Sequence, residues 1–327
     1  MMPSMSNPIA VSVPAAIAAP VATLASQLEH ARKDALFVRA RDLEVLVVRG
    51  SDRISWLNGL LTCNLATVAA GHAAYGLSVQ QKGRIVCDVT VLVEDERVLL
   101  VVPASVREQL SLTFDHYLVM EDAEFKHVPF AVWHGHGPRA RDVVSAARAA
   151  SGSAAEIDWT GLGGAIVVAE DEAKVAPALV RALDEVGGAI GDDAGWEALR
   201  LEQAVPRFGK DFDGTTYPQE AILERRAVSF DKGCYLGQEV VCMLELRGRV
   251  KRKLAPLVLA KDGDTAPEKG SAVFDAAGNK LGEITSSAWS PALDTHVAFA
   301  MLKASVLQPD LPVKVENRAA RVVERPV

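Results

Sequence analysis

The sequence predicts an α+β protein with mostly antiparallel sheets, followed by a small β-barrel or sandwich. In the first two thirds of the chain, paired segments rich in β-branched residues alternate with single helical segments. From about residue 254, short strand-like segments are separated at regular intervals by Pro, Gly and Asp. The length of 327 residues is enough for two or three domains.

The first domain is predicted to span residues 31–130. A strand ends at Gly50, and Ser51 or Asp52 is placed to cap the helix that follows, through about Leu61. A second helix is expected at residues 105–117 and one further strand pair at residues 119–130. The strands before residue 105 are predicted at residues 43–49, 75–79, 85–93 and 98–102.

The second domain is predicted to span residues 131–215, with one strand at residues 165–169. Asp192 or Asp193 would cap its last helix. Helices are expected at residues 140–150, 174–186 and 194–202, and mostly loop at residues 146–155 and 187–195. The third domain would occupy residues 249–327, with β segments at residues 257–259, 272–274, 282–285, 295–301, 313–315 and 320–323.

Residues 1–30 are predicted to form a disordered tail. They are rich in Ala, Pro, Val and Ser, and four prolines interrupt any long helix. No Lys or Arg precedes Arg32, so the basic region of a secretory signal and the Arg-rich pattern of a transit peptide are both missing. No apolar stretch reaches the roughly 20 residues that a membrane span needs. We therefore expect a cytoplasmic protein without a membrane segment.

Charge and cysteine usage exclude several functional classes. The net charge of -7 argues against DNA binding, although the basic cluster at residues 247–253 is either a linker or a contact for an anion or RNA. The four cysteines form no Cys-x-x-Cys pair, which indicates a reducing compartment rather than a disulfide or zinc framework. His134 and His136 share a strand face, but no third ligand lies near them, so no metal site is predicted.

The run from Lys232 to Glu239, with sequence KGCYLGQE, places a thiol, two glycines, a cation, an amide and a carboxylate within eight residues. Glycines on both sides of Cys234 allow unusual backbone angles and remove bulk near the thiol. Taken alone, the run is either a tight turn with a buried, inert cysteine or a segment that presents a reactive thiol. A nearby ammonium on Lys232 would favour the thiolate. Cys242, eight residues beyond, is either a second ligand beside Cys234 or a core residue of a strand, and burial of free cysteines favours the core.

Two further segments combine aromatic and charged residues. One runs from Trp196 to Glu202 and is followed by Pro206, Gly209 and Asp211. The other is a glycine turn at Gly83, next to Arg84, that leads into a strand carrying Asp88.

Together these segments resemble the YgfZ-type folate-binding proteins, which are relatives of the glycine-cleavage T-protein, an aminomethyltransferase. The octapeptide is similar to the K-G-C-[YF]-x-G-Q-E signature of that group. The run WEALRLE matches its W-x-x-L-R-x-E element, and YPQE at residues 217–220 precedes the octapeptide as in the family. Thr285-Ser286 and the SPAL run at residues 290–293 resemble the T-protein barrel.

The resemblance implies two intertwined antiparallel-sheet α+β domains and a C-terminal β-barrel, arranged in a ring around a tetrahydrofolate site, with residues 216–248 returning to the first domain. Trp196 would stack on the pterin, and Glu202 and Gln219 would bond its edge. Arg84, Lys232 or Arg247 would meet the anionic folate tail. The rest of the octapeptide, with Tyr235, Gln238 and Glu239, would form one wall of this site.

The resemblance further implies an accessory protein for the assembly or repair of iron–sulfur clusters, supporting [4Fe–4S] enzymes that include tRNA-modifying ones. Its partners would be such enzymes or cluster-assembly proteins, and Cys234 would be the reactive thiol. A folate-dependent aminomethyl- or methyltransferase with Asp88 as acid or base is the alternative, although Cys87 replaces one of two adjacent aspartates of the T-protein. A cysteine hydrolase or acyltransferase is a third hypothesis, for which no histidine lies near Cys234 in sequence.

Overall fold

The computed structural model of this chain describes residues 22–150, 152–248, 250–261, 263 and 265–327. It contains two five-stranded sheets and a closed six-stranded barrel. The helices are α1 (Leu24–Lys33), α2 (Arg53–Leu60), α3 (Arg107–His116), α4 (Val144–Ala149), α5 (Glu172–Val186), α6 (Asp193–Glu202), α7 (Glu224–Ala227) and α8 (Gln238–Leu246). The predicted α+β class with a C-terminal barrel is therefore confirmed.

The first sheet has the order β3-β4-β5-β2-β6, and all its strand pairs are antiparallel. One face packs against α2 and α3, where Trp56 and Phe114 meet edge to face. The alternation of buried side chains along β2 sends Leu46 and Val48 to this face and Val45 and Val47 to the other. Its strands are β2 (Leu43–Arg49), β3 (Ala73–Val79), β4 (Ile85–Val93), β5 (Val98–Pro103) and β6 (Glu124–Val128).

The second sheet has the order β10-β1-β7-β9-β8 and packs against the first through a shared apolar layer that includes Val47 and Val168. Its outer face is covered by α4 and α5. Strand β1 belongs to this sheet although β2, which follows it directly, belongs to the first. This exchange is the intertwining that the resemblance implies. The strands are β1 (Leu36–Ala40), β7 (Ala131–His136), β8 (Gly152–Glu156), β9 (Gly164–Ala169) and β10 (Ala189–Gly191).

The barrel closes because β16 pairs with β11, in the order β11-β14-β13-β12-β15-β16. Closure removes exposed strand edges, and the interior is filled by small and branched apolar side chains. A bulge between Ile284 and Ser286 interrupts the register of β13. The strands are β11 (Arg252–Leu259), β12 (Ala272–Phe274), β13 (Lys280–Ser290), β14 (Thr295–Lys303), β15 (Pro312–Val315) and β16 (Arg318–Val322).

Several local expectations need correction. Residues 24–30 of the predicted tail begin α1, because this helix buries Leu28 and Ala31 against α6; residues 1–21 lie outside the described part of the chain. Residues 119–130 contain one strand, β6, rather than a strand pair. The stretches expected as loop contain β8 and β10. The expected linker at residues 247–253 is partly strand, because Arg252 and Lys253 pair with β14.

The expected boundary between the first and second domains differs from the structure at one strand. Strand β1 falls within residues 31–130 but pairs with β7 in the second sheet. Among the described residues, no helix is long and apolar enough to cross a bilayer.

Candidate functional site

Asp88 and Tyr75 form a polar pair on neighbouring strands of the first sheet. The Tyr75 hydroxyl donates to Asp88 Oδ2 at 3.0 Å, whereas Oδ1 is buried and has no hydrogen-bond partner within the described residues. Burial raises the pKa of Asp88 to about 6, an effect that the hydrogen bond from Tyr75 opposes. Burial also raises the pKa of Tyr75, so its hydroxyl stays protonated and donates. The pair therefore offers one unused carboxylate oxygen to a donor.

Cations that were not predicted from the sequence lie close to this pair. Arg226, in α7, is near enough to affect the pKa of Tyr75, and its Nη1 donates to the Trp159 carbonyl at 3.3 Å. Arg207 binds Asp42 at 2.8 Å and acts on the carboxyl of Asp88. Neither arginine was itself predicted as a site residue, and only the folded chain brings Arg226 near Tyr75 and Arg207 near Asp88.

Trp196 lies over a buried pair of histidines. His136 stacks on its indole with ring centroids 4.4 Å apart and planes inclined by 3°. His134 Nδ1 and His136 Nε2 are 2.7 Å apart, and one ring donates to the other. Burial lowers the pKa of His134 to about 3 and that of His136 well below its usual range, so both are neutral at pH 7. One face of Trp196 is thus occupied by protein.

No group of three His, Cys, Asp or Glu side chains suited to a metal ion occurs in the described ranges.

Glu202 and Gln219, the two predicted contacts for a pterin edge, have different surroundings. Glu202 is fully buried, and its carboxylate binds Arg32 and accepts from Ser290 Oγ at 2.5 Å. Both of its oxygens are therefore engaged in joining α6 to α1 and to the barrel. Gln219 is buried and donates through Nε2 to the Val241 carbonyl at 3.0 Å. Its Oε1 finds no partner in the described part of the chain.

The three cations proposed for the folate tail are dispersed. Lys232 Nζ donates to three main-chain carbonyls between Asn58 and Cys63. Arg84 is exposed, with its guanidinium 5.5 Å from the centre of the Tyr217 ring. Arg247 is exposed at the C-terminal end of α8.

The octapeptide forms a turn that leads into α8, which the sequence analysis did not predict. Cys234 is exposed, and α8 begins at Gln238. Gly237 has φ 77°, and a Cβ at this position would come within 2.3 Å of the Gln80 carbonyl oxygen. Glycine is therefore required where the turn crosses the β3–β4 hairpin.

The remaining octapeptide side chains divide between core and surface. Tyr235 is buried in the cluster below the turn, and burial raises its pKa. Gln238 Oε1 accepts from the Tyr235 amide at 3.3 Å, and Glu239 is exposed in the first turn of α8. Cys242 is half-buried on α8, not a strand residue of the core, because the segment after Gly237 is helical.

Comparisons with known proteins agree with this architecture. Two family models match: the GCVT N-terminal domain over residues 18–170 and the glycine cleavage T-protein C-terminal barrel domain over residues 252–327. The aminomethyltransferase of Thermotoga sp. (strain RQ2) is 26% identical to this chain, and the match covers 80% of this chain and 76% of that protein. The aminomethyltransferase of Aquifex aeolicus is 28% identical, and the match covers 80% of this chain and 74% of that protein.

Among solved structures, the glycine cleavage system aminomethyltransferase T from Bartonella henselae superimposes with a TM-score of 0.77 at 18% identity. The superposition covers 93% of this chain and 89% of that one. The same two-domain core and C-terminal barrel are therefore present in both proteins. The chain therefore resembles the glycine cleavage T-protein in both its N-terminal domain and its C-terminal barrel and shares the fold of that aminomethyltransferase.

Proposed function

We propose that this protein binds tetrahydrofolate beside Asp88 and serves as an accessory factor in the assembly or repair of iron–sulfur clusters. Clients would be [4Fe–4S] enzymes, including tRNA-modifying ones, and Cys234 would be its reactive thiol. The observation that carries the folate part is the buried, unpartnered Oδ1 of Asp88, whose hydrogen-bond partner Tyr75 lies near Arg226. The KGCYLGQE run, with an exposed thiol, supports the second part.

The residues around Asp88 suit a folate. A pterin presents N–H donors that match the free oxygen of Asp88, and a folate tail carries carboxylates that match the guanidinium of Arg226. Tetrahydrofolate would supply a one-carbon carrier or acceptor at this place. Contacts from Trp196, Gln219 and Glu202 stay predictions; of these, Gln219 retains a buried acceptor without a partner among the described residues.

Removal of the Arg226 charge is expected to weaken tetrahydrofolate binding by about ten- to hundredfold, the usual loss for a charge-assisted hydrogen bond. Calorimetry on Arg226→Met measures this. Arg225→Met is the matched control, because Arg225 is 78% exposed and pairs with Glu245. Equal affinity of the two variants for tetrahydrofolate would show that the folate tail does not contact Arg226.

Replacement of Cys234 by Ala is expected to abolish rescue of [4Fe–4S] enzyme activity in cells that lack the protein. The reason is that, of the cysteines the structure describes, Cys234 alone is exposed, and it follows a glycine in its turn. Cys242→Ala is the control and should rescue as the wild type does. Full rescue by the Cys234→Ala variant would remove the thiol from the mechanism.

A folate-dependent aminomethyl- or methyltransferase is the second candidate. The observation in its favour is the pKa of Asp88, which at about 6 lies closer to neutral pH than that of an ordinary carboxyl and suits proton transfer. Cys87, its neighbour, is buried and faces the opposite side of the strand, so it does not replace a second carboxylate. Turnover of a methylated amine with tetrahydrofolate would establish this activity, and binding without turnover would favour the accessory function.

A further inference from the structure

We propose that Lys232 is a positioning residue that fixes the Cys234 turn by binding main-chain carbonyls at the end of α2. In this assignment Lys232 acts neither on the thiol nor on a ligand. The inference rests on the proposed function in one respect, namely that Cys234 is the reactive group. The placement of Lys232 itself rests on geometry alone.

The Lys232 ammonium lies among three carbonyl oxygens. Nζ is 2.6 Å from the carbonyl oxygen of Asn58, 2.8 Å from that of Leu61 and 2.7 Å from that of Cys63. An ammonium has three N–H donors, so each donor has an acceptor and none is left for a folate carboxylate. Asn58 lies in the last turn of α2 and Leu61 is its C-cap residue, so carbonyls here lack intrahelical partners at the negative end of the helix dipole.

Other bonds join the same two segments. The Leu236 amide donates to the Gly59 carbonyl at 2.9 Å, and the Ser229 amide donates to the Thr62 carbonyl at 2.9 Å. Cys234 therefore lies between two attachment points, at Lys232 and Leu236, that both lead to α2. Without the ammonium, the turn would keep the attachment at Leu236 and lose the one that precedes the thiol.

The surroundings of Lys232 favour this structural role. Its side chain is half-buried and its Nζ lies 5.3 Å from the centre of the Tyr235 ring. The titratable groups that face it are Cys63, from the segment after α2, and Tyr235, from its own turn. Within the described ranges no carboxylate forms an ion pair with Lys232, so the carbonyls are its principal partners. Burial lowers its pKa to about 8, which leaves it charged at neutral pH.

A nitroxide attached to Cys234, in a Cys242→Ser background, tests the role directly. We expect Lys232→Met to convert an ordered spectrum into a mobile one. The Leu236 amide should exchange about ten- to hundredfold faster, as for a lost hydrogen bond to a charged group. Lys232→Arg should restore part of the order, because a guanidinium still donates to carbonyls. Lys82→Met, at an exposed lysine of the neighbouring hairpin, is the matched control and should leave both signals unchanged.

Unchanged mobility and exchange in Lys232→Met would overturn the proposal. Faster exchange spread evenly through the first sheet would also overturn it, by showing a general stabilising role. If Lys232→Met does not fold, Lys232→Gln and Lys232→Arg supply the same comparison. In the rescue assay, Lys232→Met should fail although its thiol still reacts with maleimide. Full rescue by Cys234→Ala would reject the thiol function, whereas the spectra would still decide the role of Lys232.

Discussion

Asp211→Ala is expected to lower the free energy of unfolding by up to about 3 kcal/mol, the lower end of the usual loss for a broken buried ion pair, because Arg200 keeps a second carboxylate partner in Glu197. Asp211 and Arg200 are both buried, and Arg200 Nη1 donates to Asp211 Oδ2 at 2.7 Å. The other oxygen of Asp211 accepts from Thr285 Oγ1 at 2.6 Å and from Ser286 Oγ on β13. One carboxylate thus connects α6 to the barrel, and its removal takes the carboxylate partner away from Arg200 Nη1, while Nη2 keeps its ion pair with Glu197 at 2.6 Å.

Urea denaturation followed by tryptophan fluorescence measures this loss. Asp310→Ala is the control, because its pair with Arg321 is exposed and should contribute less than about 1 kcal/mol. Arg200→Met combined with Asp211→Leu should recover much of the stability, since no buried charge is then left unpaired. A loss no larger than that of Asp310→Ala would show that the network contributes little to joining the domains.

The sequence predicts the fold class well where local patterns suffice. The periodic segment that forms α6 begins, as expected, after an Asp192 cap whose side chain accepts from the Gly195 amide at 2.8 Å. Strand β4 coincides with the predicted residues 85–93. Both elements have side-chain patterns that identify them without knowledge of their neighbours.

Elements that depend on distant partners could not be predicted in this way. Residues 152–156, with sequence GSAAE, have low strand propensity, but pairing with β9 makes them a strand. Strand β10 has three residues and exists through its parallel pairing with β1, more than 150 positions earlier. Strand β13 was expected to end near Thr285, because its bulge and serines break the alternation of side chains.

In the candidate site, too, local sequence patterns identify some features, whereas others depend on contacts between distant parts of the chain. A motif can identify Lys232, Cys234 and Gly237 as a functional set, but not the direction in which each side chain points. The structure directs Lys232 to carbonyls, Cys234 to the surface and Gly237 against the hairpin. Conversely, Arg226 carries no sequence signal, because its proximity to Tyr75 arises from the return of the chain to the first sheet.

Asp88→Asn is expected to raise the free energy of unfolding at pH 7.5 by up to about 3 kcal/mol, while weakening tetrahydrofolate binding. The pKa of Asp88 is about 6 in the folded chain against an ordinary value of 3.8. Between these values the folded state holds the proton more tightly than the unfolded state does, so stability falls as the pH rises from about 4 to 6. At pH 7.5 the wild type carries the full cost of a buried charge, which the amide avoids.

Denaturation at pH 4 and pH 7.5, with calorimetry at pH 7.5, measures both effects. The stability gain should be large only at the higher pH, because at pH 4 the folded wild type still holds the proton and carries no buried charge. Asp184→Asn, on the exposed face of α5, is the control and should change neither quantity. A gain in stability with unchanged folate affinity would contradict the assignment of Oδ1 as a ligand contact. Lower stability at both pH values would instead mean that the fold needs the carboxylate. A variant that is more stable but binds folate poorly would show that the charge is retained for ligand binding at the expense of stability.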